Sequence, residues 1–129
     1  MDITATKSDK LPHPSAVYSQ AVSAGDLVFV AGQVGMNYDT GKLPDEFESQ
    51  ARQAFENLSI VLHASGSSMQ NVVKATVWLR NAGDFEAMNK LYAEYFPARP
   101  PARSTPIVDL PKPNLLISIE AIAVISKKR

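Results

Sequence analysis

Apolar positions along the chain alternate between two periods. Phe47, Ala51, Ala54, Phe55, Leu58, Val61 and Leu62 recur at steps of three and four, the spacing of one helix face. Asp45 with Glu48 three residues on resembles a capping box after Pro44, and Gly66 in "ASGSS" is placed to end the helix in a left-handed conformation. A second helix is expected from Asp84, as its cap, through Phe85, Met88, Leu91, Tyr92, Tyr95 and Phe96, and Pro97 stops it. Between the two, "NVVKATVWLRN" has the period of a strand. Val73, Ala75, Val77 and Leu79 lie on one face, and Lys74, Thr76, Trp78 and Arg80 on the other.

The flanking segments also read as strands. "AVYSQAV", which contains Tyr18, and "LVFVAGQV" are joined by a tight turn at Ala24–Gly25–Asp26, and "NYDTGKLP" is a second turn cluster. "ARSTPIV" and "NLLISIEAIAV" close the chain as neighbouring strands around the loop "DLPKPN". Residues 1–15, with Pro12 and Pro14, read as an extended lead-in. The order β-β-α-β-α-β-β implies a single α+β domain over residues 1–129, one mixed sheet with two helices on one face.

That arrangement leaves a face uncovered. In the last strand Leu115, Ile117, Ile119, Ala121, Ala123 and Ile125 should face the helices, yet Leu116, Ser118, Glu120, Ile122 and Val124 opposite are also mostly apolar. The strand before the first helix has the same character, with Val28, Val30 and Val34 opposite Leu27, Phe29 and Ala31. A sheet apolar on both faces and covered on one is expected to pack against copies of itself.

Composition narrows the chemistry. The 129 residues are 45% hydrophobic and 20% charged, the balance of an ordinary globular protein. Lys+Arg and Asp+Glu are equal at 13 each, so no overall field would gather nucleic acid or an anionic membrane. The basic end Lys127–Lys128–Arg129 reads as a solvated tail. The absence of cysteine excludes disulfides, thiolate metal ligands and a cysteine nucleophile. No signal segment or membrane-length apolar run is present, so a cytoplasmic protein is expected. His13 and His63 stand alone, and no metal site or cofactor is expected.

Two charges stand out near the C-terminus. Glu120, on the uncovered face, is either one half of an interface ion pair or a carboxylate that positions water. Arg103 in "PPARSTPIV" offers a planar fork suited to a carboxylate, as counter-ion to Glu120 or as ligand anchor; Arg99 could serve equally. Gly32 within a strand pattern marks a bulge or a close approach by backbone or ligand. Tyr18 and Asn89 are ordinary by type.

The motifs "YSQAV", "VFVAGQVGMNYDTGKLP", "QARQAFENL", "VVKATVWL", "DFEAMNKLYAEYF", "PARSTPIVDLP" and "ISIEAIAV", in that order from Tyr18 to Val124, resemble the Rid family of reactive-intermediate deaminases, also called YjgF-like or endoribonuclease L-PSP proteins. The resemblance implies a chorismate-mutase-like fold and a homotrimer with a central barrel and clefts between subunits. It implies hydrolysis of 2-imino or enamine acids to 2-oxo acids and ammonia, without a cofactor. Carried onto this chain, Arg103 holds the substrate carboxylate, Glu120 holds a water near the reacting carbon, and Tyr18, Gly32 and Asn89 line the cleft. Two positions depart from the pattern. Ala31 stands where active relatives commonly have serine, and Thr105 where many have cysteine. Ala31 removes a hydroxyl and puts substrate preference or rate in question; Thr105 keeps a hydroxyl and a backbone N–H. Two other readings remain: a non-catalytic carboxylate-binding or chaperone-like trimer, and the ribonuclease of the family's older name. Zero net charge and the lack of a catalytic histidine pair weigh against the ribonuclease.

Overall fold

Among the described residues, six strands form one sheet in the order β1-β2-β3-β6-β4-β5, and only the β4–β5 pair is parallel. The strands are β1 (Ile3–Ala5), β2 (Ala21–Ala24), β3 (Leu27–Val34), β4 (Val72–Leu79), β5 (Ala102–Ser104) and β6 (Ile117–Val124); the helices are α1 (Phe47–Ala64) and α2 (Phe85–Tyr95). This computed structural model describes residues 1–14 and 16–126, and the basic tail lies outside them.

The expected order is present, with one strand added. Ile3–Ala5 of the lead-in pairs antiparallel with Val22–Ala24, because the prolines that break extended pairing come only later, at 12 and 14. Conversely, β2 starts only at Ala21. Residues 16–19 turn back through a Tyr18 N–H to Ala16 carbonyl bond of 3.0 Å, so Tyr18 is not a strand residue.

Hydrophobic burial sets the layers. Ala51, Ala54, Phe55, Leu58, Val61 and Leu62 of α1 are buried over β3 and β6, and Ile117, Ile119, Ala121 and Ala123 of β6 are buried beneath them, as their parity required. Parity fails in two places, and each is a bulge. The β3–β6 register shifts between Val30 and Gln33, which puts Gln33 rather than Val34 into the core. The β4–β6 register shifts between Val72 and Lys74, so Val72 is buried and Val73 exposed. One extra residue in one strand inverts every side chain beyond it.

The helix ends differ from their sequence signals at the start and agree at the finish. Glu46, not Asp45, is the N-cap of α1, and neither it nor Asp84 at α2 makes a side-chain cap bond. At the end of α1, Gly66 takes φ 81°. Its N–H reaches the His63 carbonyl at 3.1 Å, and the Ser67 N–H reaches Leu62 at 2.8 Å, closing a Schellman motif. Two buried amides fasten α1 to its surroundings. Gln50 accepts the Leu116 N–H and donates to the Pro44 and Asn114 carbonyls, and Asn57 donates to Val34 and Met36. They satisfy backbone groups at the end of β3, in the segments that follow it and just before β6.

Candidate active site

Arg103 sits on β5, a three-residue edge strand whose parallel register sets Arg103 beside Ala75. Paired residues share a face, so its side chain lies on the helix-covered side, under α2. There the guanidinium carbon is 4.7 Å from the Tyr92 ring centroid and 5.7 Å from that of Phe85. One guanidinium N–H points to the Met88 thioether at 3.8 Å. Among the described residues Arg103 forms no ion pair. Asn89 is four residues from Phe85 and three from Tyr92, hence on the same side of α2, and Thr105 follows β5 directly. Arg99 turns away, donating to the Gln70 carbonyl at 2.9 Å.

Glu120 occupies the other face. It is half-buried on β6 opposite Thr76, and its Oε1 accepts the Trp78 indole N–H at 3.0 Å. The expectation that the two C-terminal strands are neighbours is corrected: β4 lies between β6 and β5, because β5 pairs parallel with β4 instead. Two strand spacings make roughly 9.6 Å, with the sheet in between. Within one chain, Arg103 and Glu120 form no ion pair among the described residues, and their side chains leave the sheet on opposite faces.

Gly32 lies on the Glu120 side. It sits in the β3 bulge, where an added Cβ would fall 2.7 Å from the Ser118 hydroxyl, so a larger residue there requires the Ser118 side chain to turn away. Ala31 is tied on both sides: its N–H donates to the Gln20 carbonyl at 2.9 Å, and its own carbonyl accepts from the Gln33 amide at 3.1 Å. That Gln33 amide also donates to Gln20 at 2.9 Å and accepts the Tyr38 hydroxyl. Burial, and then the nearby Tyr18 phenol, push Tyr38 up to about 12. Tyr18 itself is half-exposed before β2.

The expected residues thus separate into two clusters. Arg103 lies at the β5 edge under α2, with Thr105 just after β5 and Asn89 on α2 itself, while Glu120 and Gly32 lie on the uncovered sheet face, with Ala31 beside Gly32 in the bulge. Around Glu120 that face continues as apolar side chains, with Leu27, Phe29 and Val124 all exposed. A cavity of about 600 Å³ lined by His63, Met69, Tyr95, Phe96 and Arg99 contains neither Arg103 nor Glu120, nor any of Tyr18, Ala31, Gly32, Asn89 and Thr105. Among the described residues no group of three His, Asp or Glu could hold a metal ion, and no helix is long and apolar enough to cross a membrane.

Sequence reasoning missed the Trp78–Glu120 bond and the aromatic floor beneath Arg103. Parity placed Trp78 and Glu120 on one face, but their contact depends on the β4–β6 register. The helical stripe named Phe85 and Tyr92 only as core, since nothing local says which strand they cover.

Comparison with known proteins converges on one family. The model of the endoribonuclease L-PSP family matches residues 8–125. A 2-iminobutanoate/2-iminopropanoate deaminase of Dermatophagoides farinae is 43% identical over 88% of this chain and 90% of its own. A RutC family protein of Pyrococcus horikoshii is 42% identical over 90% and 93%. The crystal structure of RidA from a Psychrobacter species superposes with a TM-score of 0.88 at 36% identity, covering 95% of this chain and 99% of that one.

Proposed function

Since the chain belongs to the endoribonuclease L-PSP family, which includes the Rid deaminases, we propose that it hydrolyses reactive 2-imino acids, or their enamine tautomers, to 2-oxo acids and ammonia. One observation carries the reading: a half-buried guanidinium at a sheet edge that has no anion of its own among the described residues. Such a group is satisfied by an incoming carboxylate, which its donor fork can hold bidentately. The substrate class follows from that anchor together with the deaminase relatives.

Water must then reach the C=N carbon across one face of the imine plane. Glu120 suits this role, being a hydrogen-bond acceptor fixed by Trp78, with its second oxygen available to a water. Because Arg103 and Glu120 occupy opposite faces, one cleft draws Arg103, Asn89 and Thr105 from one chain and Glu120, Gly32, Ala31 and Tyr18 from the next. A trimer closed through the uncovered apolar face supplies that arrangement. Imines hydrolyse readily, so orientation and one proton acceptor suffice, without a cofactor. A small protein acting on soluble metabolites fits the cytoplasm.

The test is ammonia release from 2-iminopropanoate and 2-iminobutanoate generated in situ. Arg103→Ala should lower turnover by at least a hundred-fold, with the assembly unchanged by light scattering. Near-normal turnover in that variant would reject the assignment.

A further inference from the structure

The structure assigns Tyr92 a part in ligand binding that its place in the core stripe conceals, and we infer that it is a positioning residue for Arg103. Its ring lies beneath the guanidinium, 4.7 Å from centroid to carbon, closer than the 5.7 Å of the half-exposed Phe85. Tyr92 is 6% exposed, and its own orientation is held by Phe55, edge-on at 6.1 Å, and by Phe96 at 4.6 Å. It is therefore a stiff support for a side chain that otherwise has four flexible torsions on a short edge strand. Among the described residues Arg103 has no carboxylate to fix it, and its protein contacts here are ring faces and one thioether. These hold the cation by its charge and plane and use up almost none of its N–H donors. The donor fork is left for a ligand carboxylate in a preset orientation, which lowers the ordering cost of binding.

The Tyr92 hydroxyl points to the same division of labour. It is buried without a hydrogen-bond partner among the described residues, so it contributes nothing that phenylalanine would lack. Burial raises its pKa, and the charge of Arg103 opposes that rise, consistent with the cation lying close by. The ring face is the working part.

This inference rests on the proposed role of Arg103 as carboxylate anchor. The experiment measures pyruvate binding by calorimetry, pyruvate being the 2-oxo acid product of 2-iminopropanoate. Tyr92→Phe should bind like the wild type. Tyr92→Leu should weaken binding about ten-fold, the scale of a desolvated cation–π contact. Because leucine also alters the core, a series with mono-, di- and trifluorinated phenylalanine at position 92 keeps the volume nearly constant while draining charge from the ring face. Affinity should fall stepwise along it, with thermal stability nearly level. A flat fluorine series, or an equal loss in Tyr92→Phe, overturns the inference. Arg103→Ala separates the two levels: if it leaves pyruvate binding intact, the anchor reading fails; if it abolishes binding while the fluorine series stays flat, only the role of Tyr92 fails.

Discussion

Replacing Trp78 by phenylalanine removes one N–H and keeps an aromatic ring, so it tests whether Glu120 is held for chemistry. In the fold that N–H is 3.0 Å from Glu120 Oε1. A hydrogen bond to a charged group contributes about 1.5–3 kcal/mol when well shielded. Both side chains are half-exposed, and water competes for each, which leaves about 1 kcal/mol. If the bond sets the direction in which Glu120 presents its other oxygen to water, kcat/KM for 2-iminopropanoate should fall about five-fold. The same substitution in a Glu120→Ala background should change nothing further, because the acceptor has gone; this double-mutant cycle isolates the pair. Ammonia release is the assay, with circular dichroism to confirm the fold. An equal five-fold loss in both backgrounds would mean that the ring, and not its N–H, matters. No loss in either would refute the argument outright.

Two further expectations concern assembly and pH. Phe29, 44% exposed between Val22 and Ile122 on the uncovered face, should be critical for association, so Phe29→Asp should yield single chains by light scattering with native circular dichroism; an intact trimer would contradict the role given to that face. Tyr38 titrates near 12 in the fold against about 10 unfolded, so the folded state holds its proton longer. The stability this brings is complete below pH 10 and is lost as pH rises from 10 towards 12, which urea unfolding at pH 9 and 11 should register. Tyr38→Phe should flatten that slope, and an unchanged slope would assign it to other groups.

Much of the molecule follows from its sequence alone. Local periodicity is enough to specify both helices, the face α1 buries and the parity of β6, because side-chain direction repeats every 3.6 or 2 residues whatever the chain later packs against. The same parity exposed an apolar sheet face without a cover, and the succession of motifs from Tyr18 to Val124 identified the family. Three things were decided only in three dimensions. The bulges at Val30/Gln33 and Val72/Lys74 invert parity at a point set by cross-strand register, which no local pattern encodes. The lead-in became a strand because the free edge of β2 was there to pair with it. Above all, β5 joined β4 rather than β6, a choice of partner between segments far apart in sequence. That choice put Arg103 over Tyr92, while the β4–β6 pairing set Glu120 beside Trp78 on the opposite side of the sheet. The sequence nominated Arg103 and Glu120; strand order and register decided that within one chain they stand on opposite faces of the sheet.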